Sequence, residues 1–244
     1  MKRVVWKPGS VEVQCIGGSQ PQTFNARRAV VALPLGVLQS GHVKFSPMPK
    51  HIQTAMSRIR MGHVRRMVLL FQQRFWAQLK DLYGTEAFRE LSFAFALPGP
   101  FPTWWTQFPQ LSPSLAAWAG GSAADALAEH SQDELEQAAL GTLSKMFRID
   151  AAQVRNLLDR AESHDWQRDP FSLGSYSYLA VDGLNAAEQL ATPVESTLFF
   201  AREHTDTAGN WGTVHAAIES GTRAAHQVLS FFWASPSNST SASI

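Results

Sequence analysis

Residues 198 to 221 read LFFAREHTDTAGNWGTVHAAIESG, and their order suggests a built site. An apolar strand ends in charged residues, a loop with two glycines follows, and a helix opens with no acidic residue in its first turn. Helix N-termini leave backbone N–H groups unpaired and carry partial positive charge. A helix opening at Gly212, Thr213 and Val214 can therefore receive a phosphate or another electron-rich oxygen. The same pattern also suits an ordinary strand-loop-helix connection, and the residues alone leave both readings open.

Other chemistry-bearing residues are sparser. Tyr176 and Tyr178 in GSYSY could offer an aromatic face to a cation, or could simply alternate along a strand with one of them in the core. Trp104 and Trp105 are adjacent, so on a strand they face opposite ways: one can line a pocket while the other packs inside. His63, His204 and His215 lack the spacing of a metal set and read as structural or loop residues, so no metal is expected. Asp165 and Asp169 could attract a cationic substrate or belong to a solvated polar loop.

The elements that must position these residues follow from pattern. Val4–Trp6 and Val11–Cys15 flank the turn KPGS and form a hairpin. After GGSQPQ, an apolar strand from Ala29 to Leu33 runs into Pro34 and has the composition of a central strand. A helix is predicted over Met48–Ile59, then one long strand through MGHVRRMVLLFQQRFW. Short strands at 91–97, 103–108 and 115–119, separated by LPGPFP and PQLSPS, suggest antiparallel pairing. Ser131 caps an amphipathic helix with Glu134 three residues on and Leu135, Ala139, Leu143 and Met146 along one face. A short helix at Ala151–Leu158, a strand entering a polar and aromatic loop, the strand Thr197–Ala201 and a helix over Thr213–Phe232 complete the chain. The tail ASPSNSTSASI is expected to be disordered.

A chain of 244 residues, 45% hydrophobic, can bury a large core. Its net charge of +1, from 21 basic and 20 acidic residues, gives no electrostatic case for nucleic acid or an acidic membrane as partner. The single cysteine, Cys15, excludes an internal disulfide framework and fits a reducing compartment, so a soluble, cytoplasmic protein is expected. The N-terminus has a strand pattern and not a signal-peptide core, and no apolar run approaches the roughly 20 residues of a membrane helix.

The segments ARRAVVALPLGVLQSG, PTWWTQFP, LAAWAGG, DPFSLGSYSYL, LFFAREHT and GTVHAAIESGTRAA resemble, in that order, the C-terminal half of the flavin-containing amine oxidases. That family includes monoamine and polyamine oxidases and the lysine-specific histone demethylases. The resemblance implies an α+β or α/β fold: an incomplete FAD-binding domain formed by both chain ends, plus a substrate domain of mixed sheet and helices. On that basis residues 1–36 and 166–233 belong to the FAD-binding part, 37–165 to the substrate domain, and 234–244 to the tail.

It also implies roles. FAD is the cofactor, with Glu203 near its ribityl and diphosphate part and the helix start at Gly212, Thr213 and Val214 facing the flavin ring. The substrate is a small-molecule amine, a polyamine among the candidates, oxidised by hydride transfer to flavin N5 to give an imine and hydrogen peroxide. Tyr176 matches one wall of an aromatic cage, Thr213 matches the opposite wall, which is aromatic in monoamine oxidases, and Trp105 is a further pocket candidate. Arg66 stands where relatives carry a lysine that holds a water at N5, and Arg65 is turned away by strand alternation. Arg202 replaces a family glycine in the step before Glu203.

The chain carries no GxGxxG turn, the family's diphosphate-binding feature. The expectation is therefore a C-terminal fragment whose N-terminal Rossmann half is supplied by another chain or has been lost by truncation. The alternatives are a noncatalytic remnant or split subunit acting through a partner, and a related flavoprotein oxidase of non-amine substrates. An apolar face left open on the hairpin and the last helix is expected to favour association.

Overall fold

The computed structural model describes residues 1–17, 20–81 and 84–233, so the tail expected to be disordered lies outside the described residues. The chain divides into two compact units, Met1–Met61 with Asp169–Ile244, and Gly62–Arg168.

The first unit begins with β1 (Arg3–Lys7) and β2 (Ser10–Gly17), paired antiparallel from Arg3↔Gln14 to Lys7↔Ser10. Pro8 and Gly9 make the turn between them. Gly9 takes φ 75°, the conformation glycine adopts without steric cost, and its N–H donates to Thr197 Oγ1 at 2.8 Å. β3 (Gln20–Ala26) pairs antiparallel with β2 and was not anticipated. It is exposed along its length and carries Pro21, because an edge strand needs neither an apolar face nor every N–H. β4 (Ala29–Val31) ends short of Pro34, and α1 (Leu35–Gln39) follows. β5 (Lys44–Ser46) then joins β1 in parallel, giving the order β3-β2-β1-β5, and α2 (Lys50–Ser57) leads into β6 (Ile59–Gly62).

This unit extends to Met61, beyond the expected boundary at residue 36, because Val37, Leu38, Val43, Ile52, Met56 and Ile59 share one core with Val4, Val11 and Val31. Gly36 is fully inside it. A Cβ on Gly36 would stand 2.2 Å from the Leu173 carbonyl oxygen and 2.7 Å from that of Ser172.

In the second unit the long strand expected through residue 76 is divided. β6, which lies in the first unit up to Met61, pairs with a later strand of that same unit, β7 (Val64–Phe71) enters a different sheet, and Phe75–Gln78 is a 3-10 turn. β8 (Phe93–Phe95), β9 (Thr103–Trp105) and β10 (Ser114–Gly120) come next. They are followed by α3 (Ser122–Ala126), α4 (Gln132–Phe147), α5 (Ala151–Leu157) and β11 (Leu158–Ser163). The sheet order is β11-β7-β10-β9-β8 and every pairing is antiparallel, so the sheet expected to be mixed is not. The mixed sheet is the one holding β1 and β5.

Alternation along β7 sorts its side chains. Met67, Leu69 and Phe71 pack into a core with Trp104, Leu115, Leu135, Leu143 and Phe147, while Arg66 lies on the other face. The predicted capping box is present: Ser131 Oγ accepts from Glu134 N–H, and the Glu134 carboxylate accepts from Ser131 N–H at 2.8 Å.

The chain then returns to the first unit through β12 (Tyr176–Leu179), which pairs with β6, then α6 (Ala186–Ala191), β13 (Leu198–Phe200) and α7 (Val214–Trp233). β13 runs parallel to β4, Leu198↔Ala29 to Phe200↔Val31, so the two chain ends meet. Among the described residues β4 has no second partner, and Val30 is half exposed, contrary to the central position expected for it. On α7 the apolar Val214, Ile218 and Leu229 are exposed, as are Ile16 and Phe24 on the β2–β3 hairpin.

Candidate active site on the first unit

The segment after β13 is shaped by its own side chains. Glu203–Thr205 forms a single 3-10 turn packed against both β12 and α7. Asp206 is buried, and its carboxylate accepts from Ala208 N–H at 3.2 Å and Asn210 N–H at 2.8 Å, the local bonding through which aspartate builds loops. Trp211 Nε1 donates to the Asp206 carbonyl at 2.8 Å.

Gly212 then takes φ 73°, and a Cβ there would lie 3.2 Å from Ser177 O and 3.4 Å from the Tyr176 side chain. The start of α7 therefore passes close against Tyr176. Thr213 precedes the helix instead of opening it: its carbonyl accepts from Ala217 N–H and its hydroxyl from Ala216 N–H at 3.3 Å. The same hydroxyl donates to Asn210 O at 2.6 Å. Thr213 is thus engaged as an N-cap, and the N–H groups of Val214 and His215 are the ones the helix leaves without internal acceptors.

Tyr176 is half-buried and Tyr178 exposed, so neither tyrosine is core; Ser177 between them is the buried residue. Ser175 Oγ, Ser177 Oγ and His204 Nε2 are buried with no hydrogen-bond partner within the chain, while His204 Nδ1 faces the Glu203 carboxylate at 3.7 Å. Buried polar groups in folded proteins are normally satisfied, and these lie together at Ser175, on β12 and on the turn that β12 packs against.

Burial alone would raise the Glu203 carboxyl, but the hydrogen bonding and charge of His204 and the nearby Arg202 guanidinium outweigh it and hold the group below its ordinary value. The side chain is only 13% exposed, with Arg202 Nε 3.4 Å away. A carboxyl lowered on folding stabilises the protein above its unfolded value, 4.5, and that contribution disappears as pH falls through the folded value. Glu203→Gln should therefore lose melting temperature less steeply than the unmodified protein as pH is lowered from about 6 to about 3. Parallel curves in a thermal-melt series would remove Glu203 from the account.

Arg202 has φ 109° and ψ 168°, a region populated essentially by glycine. Such a residue costs roughly 1–3 kcal/mol. Against that stand glycine's extra unfolded freedom, roughly 0.5–1 kcal/mol, and a half-exposed ion pair worth about 0–1 kcal/mol. Strain wins narrowly: Arg202→Gly should stabilise by about 1 kcal/mol, raising the melting temperature by about 2–4 °C. Arg202→Ala keeps the Cβ and should show no gain.

One contributor went unread in the sequence. Arg223 lies on the inner face of α7 with Ala216, Ser220, Ala224 and Gln227, a helical spacing that could have flagged it. Its guanidinium donates to Ala191 O at 2.9 Å, Phe200 O at 3.0 Å and Thr205 Oγ1 at 2.7 Å. Burial lowers its pKa while Asp206 opposes the shift.

The remaining sequence candidates, Asp169 apart, are on the second unit. Trp104 is core, its Nε1 donating to Phe101 O at 2.8 Å, and Trp105 lies on the opposite face of β9. There Trp105 stacks on Phe93, centroids 6.0 Å apart, and the exposed Arg66 guanidinium sits 5.6 Å from the Trp105 ring centroid. Arg65 is buried and bonds Asp165 and the Ala128 carbonyl, each at 2.8 Å. Asp165 is thus committed to an internal ion pair. Asp169 accepts from Phe171 N–H at 2.7 Å, shaping the loop before β12. His63 pairs with Asp125 at 2.5 Å.

Comparison with known proteins decides the family. The sequence profile described as flavin containing amine oxidoreductase matches residues 1–229. The chain belongs to the flavin-containing amine oxidoreductases. The cofactor of this family is FAD. Among similar family members, polyamine oxidase 2 of Arabidopsis thaliana is 31% identical over 232 residues, covering 91% of this chain and 42% of that protein. Lysine-specific histone demethylase 1 homolog 1 of Oryza sativa subsp. japonica is 31% identical over 219 residues, covering 85% and 24%.

Among solved structures, wild-type putrescine oxidase bound to putrescine superposes with a TM-score of 0.75 at 18% identity, covering 94% of this chain and 48% of that one. Cyclohexylamine oxidase from Brevibacterium oxydans IH-35A gives 0.71 at 20% identity, covering 95% and 48%. The amine oxidoreductase fold is therefore shared, and the chain spans less than half the length of these relatives. Among the described residues no helix is long and apolar enough to cross a membrane.

Proposed function

We propose that this chain forms part of an FAD-dependent amine oxidase site, acting on a primary or secondary amine with polyamines among the candidates. The observation that carries the reading is the approach of the α7 start to Tyr176 across Gly212, where a side chain on residue 212 would crowd the Ser177 carbonyl oxygen and touch Tyr176. The residues present fit a flavin there: an open helix N-terminus with no acidic residue in its first turn, a lowered glutamate carboxyl, and buried polar groups without partners.

Bound FAD would supply the hydride acceptor for oxidation of the carbon beside the amine nitrogen. The protein's own residues bind and orient. The N–H groups of Val214 and His215 would hold an electron-rich oxygen of the cofactor, and the ionised Glu203 would accept from its hydroxyls. Tyr176 presents an aromatic face to an alkylammonium group. Arg66, on the second unit, stands in the sequence where relatives carry the water-holding lysine, and its planar fork differs from the point charge of an ammonium.

Exposure of Val214 and Ile218 on α7 and of Val30 on β4 supports a second element of this reading, a nucleotide-binding half packed against these faces. The test is visible absorbance after gel filtration with FAD, with and without that half, following bands at about 380 and 450 nm. Gly212→Ala places a Cβ 3.2 Å from the Ser177 carbonyl oxygen, so the α7 start should shift away from β12 and flavin affinity should fall about tenfold. Equal flavin retention by Gly212→Ala would overturn the placement at α7.

A further inference from the structure

A second cavity, of about 830 Å³, opens on the first unit where β1 and β5 meet α2. It shares no residue with Tyr176 or the 203–214 segment. Its lining includes Arg3, Lys44 and Arg60 and no carboxylate.

Arg3 and Lys44 are direct partners in the parallel β1–β5 register. Strands there lie about 4.8 Å apart, and like charges directly opposite each other oppose folding. The arrangement is nonetheless held. Ser46 Oγ accepts from Arg3 Nε at 3.2 Å and Nη2 at 3.1 Å, fixing the guanidinium at the rim, and Arg60 Nη1 donates to the Ser57 carbonyl at 2.5 Å. Glu12, on β2 beyond β1, accepts from Gln14 Nε2 and does not line the cavity. An anion seated among the three cations would relieve their repulsion.

The lining also has an apolar part. Leu38 and Met56 are buried, and Met48 is partly so. Unbranched thioethers adapt to ligands of varied shape, and the volume is that of a small-molecule site, roughly 300–1,000 Å³.

We propose that this cavity binds an amphipathic anion, its apolar chain or ring against Leu38, Met48 and Met56 and its carboxylate or phosphate at Arg3, Lys44 and Arg60. The inference is independent of the flavin site, and its readout needs no cofactor. Isothermal titration of the full chain with decanoate, decyl phosphate and decylammonium tests it. One anion per chain should bind, at least about tenfold more tightly than decylammonium, with affinity falling as salt is raised. Tighter binding of decanoate assigns a carboxylate head and tighter binding of decyl phosphate a phosphate head; either carries the proposal. The double variant Arg3→Gln/Lys44→Gln should weaken binding at least about tenfold, and Arg60→Gln, which leaves the β1–β5 pair intact, should weaken it several-fold. Equal affinity for anion and cation, undiminished binding by variants that melt normally, or no saturable binding of either anion up to about 1 mM would overturn it.

Discussion

Arg223→Ala should lower the stability of the protein by about 3 kcal/mol, a fall of roughly 6–12 °C in melting temperature for a chain of this size. The guanidinium reaches the end of α6 at Ala191, the end of β13 at Phe200 and the turn at Thr205, so one side chain on α7 ties three other segments together. Hydrogen bonds to charged groups contribute about 1.5–3 kcal/mol each. The upper end of that sum is not expected, because the guanidinium is only partly buried and water can reach some of the freed carbonyls. Gln227 Nε2 also donates to Ala191 O at 3.0 Å, so that acceptor keeps a partner in the variant. Arg223→Lys should recover part of the loss, since an ammonium keeps the charge but cannot span Phe200 and Thr205 with a planar fork. Thermal melting checks this directly, and a loss below about 1 kcal/mol would mean that solvent replaces the arginine. The flavin titration should move with it, because the Thr205 end of the bond network leads directly into Asp206 and the start of α7.

Gly36→Ala is the second large effect, an expected loss of about 3 kcal/mol or more. The added Cβ would meet the Leu173 carbonyl oxygen at 2.2 Å and the Ser172 carbonyl oxygen at 2.7 Å, both backbone atoms that cannot rotate away as a flexible side chain would. Either α1 or the loop preceding Gly174 must move. Gly174 is itself closely placed: a Cβ there would meet the Met61 side chain at 2.6 Å. Displacement of the loop would carry into β12 and Tyr176, so Gly36→Ala should weaken flavin retention as well as stability although residue 36 is not among the proposed cofactor contacts. Gly41→Ala is the control. It has φ 72° but no atom within 4 Å of the added Cβ, so it should cost only the roughly 1–2 kcal/mol of a left-handed alanine. If both variants cost the same, the contact with Leu173 is unimportant.

What could be read from the sequence was short-range. Pro8-Gly9 specified a turn because proline and glycine restrict or permit particular dihedrals whatever surrounds them. Ser131 and Glu134 specified a helix start because a capping box closes within four residues. Alternation placed Arg65 and Arg66, and Trp104 and Trp105, on opposite faces because the side-chain period of a strand is two. Spaced motifs gave the family for the same reason: each is a local segment, and their order survives in one dimension.

Tertiary structure decided what depends on distant partners. β3 is a strand because β2 offers it an edge, and its polar, proline-bearing residues show no period of their own. β4 has the composition of a central strand yet pairs only with β13 among the described residues. The pair Arg3 and Lys44 became a shared cationic rim only when β5 aligned beside β1, and Gly36 became indispensable only when the loop at Leu173 closed over it. Local dihedral preferences and periodicities are carried by neighbouring residues, whereas these contacts join segments far apart in the chain and exist only once the whole core has closed.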